Sequence, residues 1–160
     1  MAKAKEAIDR LRTLKDRLAK GNDAYWTGQV LIQEHAAVAW LALAEGRKAD
    51  AIAAMRQAAD LEDRSGKHVA MENRLSPIRE MLGELLLEAG EPAQALKEFE
   101  TSLRNNPNRY RSFAGAAKAA ERTGDRAQAR SYYEKLVALT GSAETVRPGI
   151  ATARAYLASK

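Results

Sequence analysis

A glycine, an alanine five residues later and a large side chain four beyond that recur three times in this chain of 160 residues. The copies are Gly46, Ala51 and Met55; Gly90, Ala95 and Phe99; Gly124, Ala129 and Tyr133. Three positions further on stand Ala58, Ser102 and Leu136. Steps of four and three residues keep side chains on one face of a helix. The second and third copies lie 34 residues apart and the first and second lie 44 apart. The same frame reaches back to Ala7, Leu11 and Leu14, and forward into "RPGIATARAYLASK", which has the spacing of one more first helix. A period in this range marks an array of like units, each of which buries its apolar face against a neighbour. The chain is rich in Ala, Leu, Glu, Lys and Arg, which are good helix formers, and no run alternates as a strand would. The expected class is all-α.

Each copy reads as two antiparallel helices joined by a tight turn. Gly90 ends the first helix because it takes positive φ at no steric cost. Pro92 sits in the first turn of the second helix, where a missing N–H matters little. Ala95 is small where a neighbouring helix passes close, and Phe99 fills the space one turn on. Pro107 stops the second helix and turns the chain into the next pair.

Leu82, Gly83, Ala95, Phe99 and Pro107, in a 34-residue unit over 76–109, resemble the tetratricopeptide repeat pattern. Unit 110–143 is similar through Ala116, Ala117, Ala129 and Tyr133, with Gly141 in place of the final proline. Unit 32–65 is similar through Val38, Ala39, Ala51 and Met55, with Asp63 in that place. A leading helix over 3–20 and a capping helix over 146–158 add a half-unit at each end. The resemblance therefore covers nearly all of 1–160 as one domain and implies a right-handed solenoid of antiparallel helix pairs. "REMLGELLLEAGEPAQALKEFETSLRNNPNR" and "AAERTGDRAQARSYYEKL" also resemble the C-terminal segment of longer bacterial tetratricopeptide-repeat proteins, which implies a fragment of a larger array.

Ten extra residues precede Ile32, and ten precede Ser76. Before Ile32, Asp23 is a candidate N-cap and helical spacing continues, so one long helix is expected over 24–45, with Gly28 weakening it by about 1 kcal/mol. Before Ser76, the segment 66–75 reads as a loop or short turn, and Ser76–Pro77 as a helix start.

In the family that the chain resembles, first helices line a concave surface that takes extended peptides. The resemblance places Gln33, Ala36, Trp40, Leu43 and Ala44 there, with Trp26 continuing the line. In the next unit it places Pro77, Glu80, Glu84, Leu87 and Glu88, and in the last Arg111, Ala114, Lys118, Glu121 and Arg122. An aromatic, an acidic and a basic strip follow one another. The competing reading pairs Glu84 and its neighbours with Lys118 and Arg122, which contributes only about 0–1 kcal/mol per pair. Family members that bind a C-terminal carboxylate do so through Lys and Asn on first helices. Ala36, Trp40 and Gly115 stand at those positions here, so that clamp is not expected. The leading helix carries an apolar stripe, Ile8, Leu11, Leu14 and Leu18, which suggests self-association.

The remaining features bound the function. No cysteine occurs, so disulfides, thiolate nucleophiles and Cys-ligated metals are excluded. His35 reads as a core residue. His68 with Glu72 supplies two ligands at most, too few for zinc. No phosphate-loop, Gly-x-Ser-x-Gly or His-Glu-x-x-His motif is present, so neither catalysis nor a cofactor is expected. Tyr133 is core by register and Tyr132 points elsewhere, toward solvent. The net charge of +5 is scattered and the Glu80–Glu88 strip is acidic, so nucleic acid is not an expected partner. No membrane span and no signal peptide are evident. The cytoplasm is the expected compartment, with the periplasm the alternative if a leader was removed. The expected function is a non-catalytic module that binds an extended peptide. The alternative is a structural or homo-oligomerising segment of a longer array.

Overall fold

The three glycines of the repeat all turn the chain with positive φ: 80° at Gly46, 76° at Gly90 and 82° at Gly124. Each closes its helix with the same pair of hydrogen bonds. Arg47 N–H donates to Ala42 O and Gly46 N–H to Leu43 O; Glu91 and Gly90 do the same to Leu86 and Leu87, and Asp125 and Gly124 to Ala120 and Glu121. This satisfies the last carbonyls and needs a left-handed residue at the glycine. Asn22, at φ 59°, closes the leading helix in the same way, through Asp23 N–H to Leu18 O.

The computed structural model describes residues 1–66, 75–140 and 148–159. Among them run eight helices and no strand: α1 (Ala2–Lys20), α2 (Ala24–Ala44), α3 (Lys48–Arg64), α4 (Ile78–Glu88), α5 (Pro92–Asn105), α6 (Tyr110–Thr123), α7 (Arg126–Thr140) and α8 (Pro148–Ala158). The all-α expectation holds, and the long helix before Ile32 is continuous through Gly28. Asp23 caps it, accepting a hydrogen bond from Trp26 N–H at 3.1 Å. The chain forms two compact units, Met1–Leu85 and Leu86–Lys160.

In the first unit α2 packs against α1 on one side and α3 on another. The buried residues Ile32, Ala36, Ala39 and Ala42 of α2 and Ala51, Met55, Ala58 and Ala59 of α3 supply the core. Six of these eight are alanine, which lets helix backbones approach closely. The start of α4 is built differently from what Ser76–Pro77 suggests. Helix α4 begins at Ile78, and its first N–H donates to the buried carboxylate of Glu62 on α3 at 2.7 Å. Arg79 adds contacts of 2.7 Å to Asp60 and 2.8 Å to Asp63. A capping acceptor on a neighbouring helix thus replaces the local serine. Residues 67–74, with His68 and Glu72, lie outside the described residues.

In the second unit α5 packs on α6, α6 on α7 and α7 on α8. Phe99 is fully buried, and a Cβ on Gly115 of α6 would overlap its ring. The glycine is there to admit the ring. Ser102 and Ser112, both buried, satisfy one another at 3.0 Å. On the other side of α6, Ala117, Tyr133, Leu136, Ile150 and Ala153 form one cluster with Tyr110 and Tyr156 packed against it. The rings of Tyr133 and Tyr156 lie 4.7 Å apart, so α8 is docked through an aromatic pair.

Candidate functional site

Helix α2 carries apolar residues all round rather than on one stripe. A helix of that kind is usually buried on every side. Here the inner side holds Ile32, Ala36 and Ala39. The α1 side holds Glu34, Val38, Leu41 and Glu45: Arg12 and Lys15 reach Glu34 at 3.0 and 2.7 Å, and Lys5 reaches Glu45 at 3.0 Å. Ile8, Val38 and Leu41 line a cleft of about 350 Å³ along that seam. Burial opposes ionisation of Glu34, but the hydrogen bonds from Lys15 and Arg12 outweigh it and hold the carboxyl below its ordinary range.

A third side remains. Trp26, Gln33 and Trp40 are seven residues apart. Such a spacing drifts by only about 20° per step on a helix. Trp26 is 42% exposed, Gln33 and Ala44 are exposed, and Trp40 and Leu43 are half-buried. The ring of Tyr25 meets that of Trp26 edge-on at 5.2 Å. The stripe is apolar and aromatic with one amide in its middle, and it is reached from solvent.

The acidic strip is not formed as expected. Glu80 is 1% exposed and Leu87 is 5% exposed, and Pro77 and Ala36 are also buried. Helix α4 is buried at Ile78, Leu82, Leu85 and Leu86 as well, so packing surrounds much of its circumference and takes Glu80 and Leu87 with it. Glu84 is half-buried and Glu88 exposed. On α6, Arg111, Lys118 and Arg122 are exposed as expected, along with Glu121. Arg122 has a structural task too, since its guanidinium donates to the carbonyl of Leu87 at 2.7 Å, in the last turn of α4.

The stripe of α1 is divided. Ile8 is buried at 3% exposure, Leu11 and Leu18 are half-buried, and Leu14 alone is exposed, at 44%. Helix α1 packs against α2, and the stripe is covered only in part. Tyr132 also departs from expectation. It is half-buried, its hydroxyl donates to Glu100 at 2.7 Å, and Lys135 sits 5.2 Å over its ring. Tyr133 is core, as its register requires, and its hydroxyl donates to Glu121 at 2.9 Å. His35 is half-buried on α2. Among the described residues no three His, Asp or Glu side chains converge to hold a metal, and no helix is long and apolar enough to cross a membrane.

The helix pair α6–α7 decides the kind of repeat. The family model for the tetratricopeptide repeat matches residues 110–142, the whole of that pair. This pair is a tetratricopeptide repeat. The fold around it agrees. The crystal structure of PcrH from Pseudomonas aeruginosa is similar with a TM-score of 0.59 and 20% identity, over 79% of this chain and 88% of that one. PcrH in complex with the chaperone binding region of PopB is similar with a TM-score of 0.60 and 21% identity, over 79% of this chain and 94% of that one. No curated protein sequence matches the chain. A tetratricopeptide repeat with its glycine turns, Ala129 and Tyr133 accounts for the 34-residue frame at its most regular point.

Proposed function

We propose that this chain is a non-catalytic protein-interaction module that takes an extended segment of a partner protein against the open side of α2. The observation that carries the proposal is the placement of Trp26 and Trp40. A helix apolar all round packs against α1 and α3 and keeps an aromatic third side in contact with solvent. Rigid aromatic side chains flanked by an amide are the usual anchors of an interface, because they offer large contact area at little entropic cost. Leu43 adds to the apolar edge. Glu84 on α4, in the same unit, is a charged candidate for setting the partner's register. A neighbour of the same fold, PcrH, has been solved with the chaperone binding region of PopB, which supports a peptide as the occupant.

The test is selection of binders from a displayed library of extended peptides, followed by titration of the selected peptides. Trp40→Ala is expected to weaken them by about 2 kcal/mol or more, as loss of an aromatic anchor does. Peptides that bind Trp40→Ala and Trp26→Ala as tightly as the parent chain contradict the reading. The second reading, self-association or stacking within a longer array through α1, rests on exposed Leu14. Light scattering decides it: a dimer dispersed by Leu14→Ser supports that reading, and a monomer at all concentrations removes it.

A further inference from the structure

A small cleft in the second unit collects hydrogen-bond donors. It has a volume of about 140 Å³ and is lined by Arg126 and Arg130 of α7 and by Tyr156 and Ser159 at the end of the chain. Arg126 makes no ion pair among the described residues. Arg130 meets Glu134 only through Nε, at 3.2 Å, which leaves both of its terminal nitrogens open. The Tyr156 ring is fixed against Tyr133, and its hydroxyl makes no hydrogen bond among the described residues. Ser159 gives its hydroxyl proton to Tyr156 O at 2.7 Å, which holds the serine in place beside the ring. The two arginines are four residues apart and share a face of α7.

We propose that this cleft binds a phosphate group, as inorganic phosphate or as a phosphate monoester. The Arg126 guanidinium brings a positive charge with no ion pair among the described residues, Arg130 shares its charge with Glu134 through Nε, and the forked donors of both arginines match phosphate oxygens. The tyrosine hydroxyl adds a donor from a third direction. A carboxylate has fewer acceptor sites than this donor set offers. The volume is below that of pockets for drug-sized ligands, so the cleft fits a group rather than a large molecule. Glu134 stays tied to Arg130. The site is built only when α8 is docked, because Tyr156 reaches α7 through its contact with Tyr133. It does not depend on the open side of α2.

The experiment is an NMR titration of the full chain with inorganic phosphate, phosphoserine and acetate, reading the Arg Nε–H and Tyr156 ring signals. Saturable shifts at Arg126, Arg130 and Tyr156 are expected with both phosphates, and acetate is expected to bind at least tenfold more weakly, the margin of a charge-assisted donor or two. Tighter binding of phosphoserine than of phosphate assigns the group to a larger molecule, and equal binding assigns the free anion. Arg126→Gln and Arg130→Gln should each cost about tenfold in affinity. Tyr156→Phe, which keeps the ring and hence the docked α8, should cost about threefold, the scale of one neutral hydrogen bond. Shifts that never saturate, acetate that competes equally, or unchanged affinity in the Arg126→Gln/Arg130→Gln double variant would overturn the proposal.

Discussion

Helices α2 and α6 stand at the same point of the repeat frame and are built from different materials. Helix α6 has 14 residues, a core side of Ser112, Ala116, Ala117, Ala119 and Ala120, and an outer side of Arg111, Lys118, Glu121 and Arg122. Helix α2 has 21 residues, a similar small-residue core side, and Trp40 where α6 carries Lys118. The inner sides obey one rule, since both must let a neighbouring helix come close. The outer sides are free of that rule. The difference shows that packing fixes half of such a helix and leaves the other half to contact chemistry.

If both inner sides are packed alike, cutting a large core residue in either unit should hurt similarly. Phe99→Ala is expected to lose about 3–5 kcal/mol and Met55→Ala about 2–5 kcal/mol in denaturant unfolding. A small loss for Met55→Ala alone would show that the α2–α3 core is looser than its counterpart. Next in size is Gly115→Ala, expected to cost about 1–3 kcal/mol because the new methyl meets the Phe99 ring. Glu62→Ala should cost a similar amount, about 1–3 kcal/mol, by leaving the Ile78 N–H without its buried acceptor.

Smaller effects separate the outer sides. Glu34 titrates below the ordinary carboxylate range because Lys15 and Arg12 stabilise its charged form. A depressed folded-state value means that its contribution is present above the unfolded-state value and is lost as pH falls through the folded one. Thermal unfolding followed from neutral to acid pH should therefore show a loss in the first unit that Glu34→Gln removes. The smallest change is Gly28→Ala, which should raise stability by up to about 1 kcal/mol, since a Cβ there meets nothing within 4 Å. Loss of stability on that substitution would mean that α2 is not a plain continuous helix at Gly28.

The periodic features were readable because each has a local cause. Gly46, Gly90 and Gly124 must take positive φ, Asp23 can cap the helix that follows it, and Ala95 and Phe99 repeat at helical spacing. The exposure of the candidate site was less readable. Helices α2 and α4 are both largely apolar, yet α4 is buried at Ile78, Glu80, Leu82, Leu85, Leu86 and Leu87 while α2 keeps Trp26 in solvent. Periodicity says which residues share a side, and only the number of neighbours says whether that side is covered. Glu62 was invisible for a related reason, because it caps a helix 16 residues away. Tyr156 joins Arg126 and Arg130 only through the docking of α8.

The chain has two tryptophans, and both lie on the open side of α2. Their fluorescence is therefore a direct readout of the proposed site. Addition of a selected peptide is expected to shift their emission to the blue as the rings leave water, in step with binding, and Trp40→Ala should remove both most of the shift and most of the affinity. A peptide that binds with the emission of Trp26 and Trp40 unchanged, and that binds Trp40→Ala equally well, would contradict the account.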